Sequence, residues 1–321
     1  MAKQWLSRRF ENSMNSSHAL DAQTASPDGL PVTIPYVTKE RASNWAGSHG
    51  SNRTRDGTFV MATRSPLMLI MMFWAFSLTA SEAGESCQNS GPQAPRDISN
   101  KSGSNSRVFP LAPVHSSLNL CNIHFHSNAE HRGPGFKLFA GKGDDGGFKC
   151  NDTDTLTAAQ RETPHHGACH GLKAGDTIEV HWVHTSCAIT PGKGLGSCLS
   201  DSCTDPLLRV EAQAFLVVND RSALDFANFD YSGNAVDGLH RAKALPSGTG
   251  DPVVFRGSTT GPSYNEQTCS PLKATWSVRP TCARVDINSL NAWCAKNAFG
   301  EEHAHGVRQL VTTPEFLAKI E

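Results

Sequence analysis

The sequence predicts a mainly β fold of the α+β kind: a single β-rich domain, stapled by disulfides, with short helices near its C-terminus. Three observations predict it. The 27 glycines and 18 prolines separate short apolar segments, which is typical of strands and turns rather than of long helices. Several of these segments alternate apolar and polar residues with the period of a strand. The ten cysteines include no CxxC motif, and this spacing favours several disulfides over a thiolate metal site.

Composition narrows the possible functions. The formal net charge of -1 at pH 7 provides no basic surface for nucleic acid, and no run of lysine or arginine interleaved with aromatic residues occurs. We therefore expect no nucleic-acid partner. All ten cysteines lie after one strongly hydrophobic segment, so that everything downstream of it is expected to reach an oxidising compartment.

This hydrophobic segment lies within residues 61–83, which have the layout of a secretory signal peptide. Arg64 precedes an apolar run at 67–78, and the small residues Ala80 and Ala83 follow in an A-x-A-like spacing. Because the run is short for a membrane span, we expect a secreted or otherwise extracytoplasmic mature chain without a membrane segment. A signal-anchor is the alternative if translation starts at the first methionine, and N-terminal sequencing of the mature protein distinguishes the two.

The segments on either side of the hydrophobic segment have no sustained apolar period. Residues 1–60 are rich in Ser, Asn, Arg and Gly, and are predicted to be a disordered or mis-assigned N-terminal extension. Residues 84–107 form a polar linker or extended entry segment. The folded domain is expected to span 108–321, and its oligomeric state is left open.

Alternation and turn residues place the predicted strands and helices along this domain. Segment 207–218 is the strongest long strand candidate, although its length and alanine content leave a helix open. The last helix has Thr313 at the N-cap and Pro314 at its first position, which is a good start signal. The predicted strands are 122–131, 135–141, 177–185, 207–218, 252–256 and 274–278, and the predicted helices are 289–298 and 313–320.

The stretch at 122–131, NIHFHSNAEH, places two histidines one residue apart on a strand. Since alternate side chains share a face, His124 and His126 project together while Ile123 and Phe125 project to the other face. Two neutral imidazoles on a rigid strand are two-thirds of a three-histidine metal site that keeps an open coordination position. The sequence therefore predicts a metal centre here, with a third ligand from elsewhere.

The strand at 177–185 offers two candidates for this third ligand. On a regular strand His181 shares the polar face with Glu179, whereas His184 faces with Trp182 toward the core. His181 is therefore preferred, although a bulge between the two histidines would reverse the choice. Glu179 is expected to act from outside the metal's ligands, by holding the second nitrogen of a ligand imidazole.

Two residues that follow the first histidine pair extend the predicted site. Glu130 is a candidate carboxylate that supports a ligand from outside, and His131 is a candidate proton-handling base. A second HxH pair, His303 and His305, lies between helix signals near the C-terminus and is expected to be structural or to support the ligands.

Five strings, in order along the chain, resemble the delta-class carbonic anhydrases: NIHFHSNAEHRGPGF, IEVHWVHTSC, GLGSCLSDSC, TWSVRP and EEHAHGVR. The resemblance runs from about His115 to the C-terminus, and it implies that 108–321 is a catalytic domain. It further implies a zinc lyase that interconverts carbon dioxide and bicarbonate by means of zinc-bound hydroxide. The ligands would then be His124, His126 and His181.

The chemistry that the resemblance implies suits these residues. Three neutral imidazoles leave zinc doubly positive, which lowers the pKa of its bound water to about 7. After hydroxide attacks carbon dioxide a proton must leave, and His131 or His184 would carry it, because imidazole titrates near neutrality. Glu130 is grouped with these catalytic candidates, and Val183 is expected in the apolar wall that faces carbon dioxide.

Two other functions fit parts of the sequence. His124, His126 and Glu130 have the HxHxxxE spacing of a cupin's first motif, in which Glu130 would ligate iron or manganese. The flanking glycines of that motif and a downstream P-x-G-x-x-H partner are missing, however. The non-enzymatic alternative is a secreted, disulfide-rich binding module whose histidines are surface residues, and such a module would contain no stoichiometric metal.

Overall fold

The computed structural model describes residues 87, 90–258 and 264–321. The predicted N-terminal extension at 1–60 and the predicted signal peptide at 61–83 lie outside the described residues. Within the described part of the chain, no helix has the length and apolar character that crossing a membrane requires.

The described residues fold mainly into strands, as the sequence predicts. One α-helix, α1, spans Ile287–Ala295. Single turns of 3-10 helix occur at His115–Ser117, Thr153–Thr155, Ala159–Arg161, Leu195–Cys198, Phe226–Asn228 and Pro314–Phe316. The strands are β1 (Asn119–Ser127), β2 (Phe136–Gly141), β3 (Gly147–Cys150), β4 (Thr177–Thr185), β5 (Leu208–Val218), β6 (Ala235–Val236), β7 (Leu239–His240), β8 (Val253–Ser258), β9 (Lys273–Val278) and β10 (Ala283–Asp286).

The main structural element of the domain is a six-stranded mixed sheet. Its order is β1-β4-β5-β9-β8, and β10 also pairs with β5. The long strand β5 pairs with β4 from Leu208 to Leu216, while part of its first half runs parallel to β9 and its last four residues run parallel to β10. The strand pairs β1–β4 and β8–β9 are antiparallel. Two further hairpins, β2–β3 and β6–β7, lie outside this sheet.

Both faces of the sheet are covered at its centre. All nine residues of β4 and all eleven of β5 are buried. On one face, Phe125 and Trp182 pack with Trp293 of α1 in a single apolar cluster. On the other face, Val183 and Trp276 belong to a second cluster. The last five residues of β5, at 214–218, are all apolar, as burial on both sides favours, whereas its first half alternates polar Arg209, Glu211 and Gln213 with apolar residues.

The predicted elements differ from the observed ones in three respects. Segment 207–218 is a strand, so the helical alternative is wrong. The sequence predicts no strand where β3, β6, β7 and β10 lie. The predicted helix at 313–320 is a single 3-10 turn in which the Thr313 side chain makes no capping hydrogen bond.

All ten cysteines pair, and none is free. Cys198 and Cys203, which flank a tight loop, bond to different partners rather than to each other. Five disulfides indicate that the domain folds in an oxidising compartment, and they confirm the predicted disulfide-stapled β-rich fold. The pairs are Cys87–Cys269, Cys121–Cys198, Cys150–Cys282, Cys169–Cys294 and Cys187–Cys203.

The segment at 90–107 has no helix or strand of its own, yet it packs against the domain. Ala94, Arg96 and Ile98 are buried. The Arg96 guanidinium donates to the backbone oxygens of Ser102 at 2.7 Å and Ala318. This entry segment therefore contacts the C-terminal end of the chain, and packing begins before the predicted domain start at residue 108.

Candidate metal centre

Strand register brings three histidines together. His124 of β1 lies directly opposite His181 of β4, and His126 lies opposite Glu179. Opposed residues of an antiparallel pair project to the same face, so His124, His126 and His181 share one side of the sheet. Their ring centroids are 4.7 to 5.1 Å apart, and one ring nitrogen from each lies within 4.8 Å of the other two.

A side-chain amide orients the first imidazole. Asn122 Oδ1 lies 2.7 Å from His124 Nδ1, while Asn122 Nδ2 donates to the backbone oxygen of Gly192 at 3.0 Å. The second contact fixes which end of the amide faces the ring. His124 Nδ1–H therefore donates to Asn122, and the lone pair of His124 Nε2 remains free to bind a metal.

The other two imidazoles are oriented in the same manner. His126 Nδ1 donates to the backbone oxygen of Gly306 at 2.9 Å, and His181 Nε2 donates to Glu179 Oε1 at 3.1 Å. These contacts leave lone pairs on His126 Nε2 and His181 Nδ1. The free nitrogens His124 Nε2 and His181 Nδ1 are 3.3 Å apart.

Burial favours the neutral form of two of these imidazoles, His124 and His126. It lowers the pKa of His124 well below the usual range, with a further contribution from the neighbouring histidines. It also lowers the pKa of His126 to about 4, against the opposing charge of Glu130. Neutral imidazole is the form that ligates metals, because a protonated ring has no lone pair to offer.

This donor set fits zinc. Three lone pairs converge, and the outer N–H of each ring is already used, so no proton lies between the facing nitrogens. A divalent cation resolves the resulting repulsion of lone pairs, and imidazole nitrogen is a preferred ligand of Zn²⁺. His124, His126 and His181 are therefore the residues that can hold the metal, and three protein ligands leave a coordination position for a reactant.

Glu179 links the centre to His131. Besides His181, its Oε1 accepts from His131 Nδ1 at 2.7 Å, and its Oε2 accepts from the His131 backbone N–H at 3.1 Å. Burial acts to raise the pKa of Glu179, but the bonds and charge of His131 and His181 outweigh it and hold that pKa well below its usual range. Glu179 is thus an ionised carboxylate that holds two imidazoles, as the sequence predicts for the outer partner of a ligand.

His131, Glu179 and His181 form a second set with ligand-type atoms within 4.8 Å. These atoms already hydrogen-bond to one another, so the set is less suited to a metal than the converging lone pairs described above. The ring of His131 packs on Trp276, with centroids 4.7 Å apart, and the residue is 0% exposed. The sequence predicts that His131 handles protons. Its buried placement is better suited to holding Glu179 than to exchanging protons with solvent.

Glu130 lies beside the centre but outside both sets. Its Oε1 accepts from the Arg308 backbone N–H at 3.0 Å and is 3.5 Å from His126 Nδ1. Burial acts to raise the pKa of Glu130, but His126, His181 and Arg308 together outweigh it and lower that pKa. A carboxylate held by a backbone N–H in this way is not directed at the ligand nitrogens, which argues against the cupin interpretation.

His184 lies on the opposite face from His181, as strand alternation predicts. Its ring packs 5.7 Å from that of His115, and its Nδ1 is 3.0 Å from the backbone oxygen of Trp182. Burial, with a smaller contribution from His115, lowers the pKa of His184 to about 3. A group that stays neutral down to acidic pH cannot accept a proton near neutrality, so His184 is unsuited to the predicted shuttle.

The same pKa leads to a testable pH dependence. Between pH 6.5 and about 3, the unfolded chain binds a proton at His184 that the folded chain does not. The free energy of unfolding should therefore fall as pH falls through this range, by about 1.4 kcal/mol per pH unit for this residue. The free energy of unfolding, measured with denaturant at several pH values, should depend on pH less steeply by that amount in His184→Gln. The substitution His165→Gln, at an exposed histidine, should leave the pH dependence of wild type unchanged. Equal slopes for wild type and His184→Gln would contradict this assignment.

The C-terminal HxH pair contributes more than the sequence suggests. His305 makes ring contacts with His124 at 5.8 Å and His126 at 6.0 Å, and its Nε2 is 2.9 Å from Glu301 Oε2. Its side chain is 22% exposed, so a histidine beside the centre also contacts solvent. The only sequence signal for this position is the HAH string itself, because the contact comes from backbone hydrogen bonds between His305 and β1.

Comparison with known proteins agrees with this geometry. The family model described as "Delta carbonic anhydrase" matches residues 115–289, more than half of the chain, and this range contains all three histidines of the centre. The HAH string lies beyond the matched range. No curated protein matches the chain. The chain therefore belongs to the delta carbonic anhydrase family, and it is a carbonic anhydrase, a lyase that interconverts carbon dioxide and bicarbonate.

Proposed function

We propose that this carbonic anhydrase is zinc-dependent and that His124, His126 and His181 are its metal ligands. One observation carries the proposal: each of the three rings uses its outer nitrogen in a hydrogen bond to an acceptor, so that three lone pairs converge within 4.8 Å. Surface histidines of a binding module would not be expected to have their outer nitrogens hydrogen-bonded and their lone pairs directed at one point.

His124, His126 and His181 would hold a zinc ion, which would supply hydroxide near neutral pH by lowering the pKa of water to about 7. The protein itself contributes by orienting the three ligand rings. The Asn122 amide, the Gly306 carbonyl and the Glu179 carboxylate each fix the tautomer of one ligand ring. His131 in turn holds Glu179 by two hydrogen bonds, so its role is to position that carboxylate.

Val183 is the candidate for an apolar wall because of its position on β4 near His181, although none of the three histidines lines the small cavity that Val183 helps to form. Val183 follows His181 by two residues and therefore shares its face of β4. It belongs to the same apolar cluster as Leu195 and Leu199, and with them it lines a small cavity of about 40 Å³. An uncharged, linear molecule such as carbon dioxide fits an apolar wall better than a polar one, and we assign Val183 to that wall.

Metal content and hydration activity, measured on one preparation, test this proposal. Purified protein should contain about one zinc per chain, lose carbon dioxide hydration on treatment with a chelator, and regain it when zinc is returned. As a control, the five disulfides of the chelated protein should be checked and found intact. Loss of activity can then be attributed to loss of the metal rather than to unfolding. A zinc-loaded preparation without hydration activity would overturn the proposal.

The division of the chain and its export are part of the same proposal. We assign residues 108–321 to the catalytic domain, 84–107 to an entry segment and 61–83 to a cleaved signal peptide. The support is the position of the cysteines: the disulfides require passage into an oxidising compartment, and the apolar run precedes them all.

A further inference from the structure

The entry segment at 90–107 contains an exposed Asn-Lys-Ser tripeptide at 100–102. Asn-x-Ser or Asn-x-Thr, with any residue except proline in the middle, is the acceptor pattern for N-linked oligosaccharides on surface loops of secreted proteins. In the described part of the chain the pattern occurs once more, at 151–153. The lumen in which disulfides form is also the compartment in which this modification takes place. A domain with five disulfides therefore folds where these asparagines can be modified.

The backbone of the 100–102 tripeptide is held by a buried arginine. Arg96 is 0% exposed, and its Nη2 donates to the backbone oxygens of Asn100 at 2.6 Å and Ser102 at 2.7 Å. The backbone oxygen of Lys101 accepts from the Ile320 N–H at 3.0 Å. Three successive carbonyls thus bond to the protein, while all three residues are exposed. The fold therefore presents this tripeptide on the surface in a fixed conformation.

The side chain of Asn100 is free at the atom to which a sugar attaches. Its Oδ1 accepts from the Ser102 backbone N–H at 2.9 Å, which closes a turn over the tripeptide. Its Nδ2 makes no hydrogen bond to any residue that the structure describes, and neither does the Ser102 hydroxyl. A sugar on Nδ2 would therefore displace no hydrogen bond of the described fold.

The second tripeptide is also exposed at its asparagine, but the fold uses its polar groups. Asn151 Nδ2 donates to the backbone oxygen of Pro134 at 2.7 Å, and its Oδ1 accepts from the Lys137 N–H at 3.1 Å. The Thr153 hydroxyl donates to the backbone oxygen of Cys150 at 2.7 Å. A sugar on Asn151 would replace a hydrogen of an amide that holds this loop, close to the Pro134 carbonyl. The two tripeptides therefore differ in how well the folded chain accommodates a sugar.

We propose that Asn100 is a site of N-linked glycosylation and that Asn151 is modified to a smaller extent. The proposal rests on the proposed export of the chain and is independent of the metal. A cellular transferase joins Asn100 Nδ2 to C1 of a lipid-diphosphate-linked oligosaccharide, and the bond from C1 to the diphosphate oxygen breaks. The lipid diphosphate leaves with the electron pair of that bond, Nδ2 loses one proton to solvent, and nothing is oxidised or reduced.

Expression of the full chain in a eukaryotic cell line tests the site. Treatment with peptide N-glycosidase F in oxygen-18 water converts each glycosylated asparagine to a mass-labelled aspartate, so that peptide mass spectrometry gives the occupancy of each position. The Asn100 peptide should be labelled at high occupancy, and the Asn151 peptide should be mostly unlabelled. An unmodified Asn100, or an occupancy at Asn151 that equals or exceeds that at Asn100, would overturn the proposal.

Substitutions at Ser102 separate the modification from folding, because they leave the turn that Asn100 Oδ1 closes with a backbone N–H. Ser102→Ala should abolish glycosylation of Asn100, and its unfolding midpoint should equal that of the enzymatically deglycosylated wild type. Ser102→Thr, which keeps a hydroxyl, should retain the glycan. Ser99→Ala, at an exposed serine outside the pattern, should retain it as well. Full occupancy of Asn100 in Ser102→Ala would contradict the assignment.

The state of the cysteines distinguishes a failure of this proposal from a failure of the proposed export. A cleaved signal peptide and a signal-anchor both deliver the residues after 83 to the same compartment, so secreted and cell-associated protein are both measured. Intact disulfides with an unmodified Asn100 would refute glycosylation alone. Reduced cysteines with an unmodified Asn100 would refute export and glycosylation together.

Discussion

His124→Ala is expected to eliminate stoichiometric zinc and to reduce carbon dioxide hydration by about a thousandfold or more. The magnitude follows from what is lost. A three-histidine centre has no spare protein ligand, and the hydration rate depends on hydroxide that only the bound metal supplies at neutral pH. The measurement is zinc content together with stopped-flow hydration on the same sample.

His166→Ala is the matched control, because His166 is an exposed histidine in a loop. It should retain zinc and full activity. Retention of one zinc per chain by His124→Ala, together with wild-type hydration, would mean that the metal lies elsewhere. In that case the second set, His131, Glu179 and His181, would become the place to look.

Glu179→Gln is expected to weaken zinc binding by about tenfold to a hundredfold and to lower the free energy of unfolding by about 3 kcal/mol. The amide is nearly isosteric, so the change removes charge and one acceptor rather than volume. Both imidazole N–H groups already share Oε1, so the amide nitrogen would replace Oε2, and the His131 backbone N–H would then face a donor instead of an acceptor. Zinc affinity by competition with a chelator and unfolding of the metal-free protein measure the two effects separately.

Glu162→Gln provides the comparison, since Glu162 is exposed and the same substitution there should change neither quantity.

A second prediction comes from the charge of Glu179. Because its pKa is lowered in the folded chain, it stabilises the fold above about pH 4.5, and that stabilisation is lost as pH falls below this value. Glu179→Gln should therefore be less sensitive to acid than wild type, and an equal acid sensitivity would contradict the assignment.

Local pattern predicts which histidines come together because the candidate centre lies on two regular strands. Period-2 alternation places His124 and His126 on one face, and it separates His181 from His184. Residues of β1 are irregular only between Leu120 and Asn122. This bulge precedes both histidines, so it does not exchange their faces. A bulge between His124 and His126 would instead have placed the two rings on different faces.

Contacts between distant parts of the chain could not be predicted from such patterns. The carbonyl that orients His126 belongs to Gly306, and a backbone oxygen carries no sequence signal. Arg308 likewise resembles any surface arginine until its burial is known. Disulfide pairing depends on which cysteines the fold brings close together, and sequence spacing does not show this. Cys198 and Cys203 are near each other in sequence, but Cys198 bonds to Cys121 and Cys203 bonds to Cys187.

The Gly306 carbonyl has a consequence for maturation of the enzyme. All three proposed ligands are synthesised by residue 181, whereas the group that sets the tautomer of His126 arrives 180 residues after that histidine. The parallel bridge between His126 and His305 is made at the same late stage. A chain that ends before Gly306 would hold every imidazole of the centre and still lack one ring's orientation. The segment around Gly306 is therefore the last part of the candidate metal centre to be made, and we expect full metal affinity only in a chain that contains it.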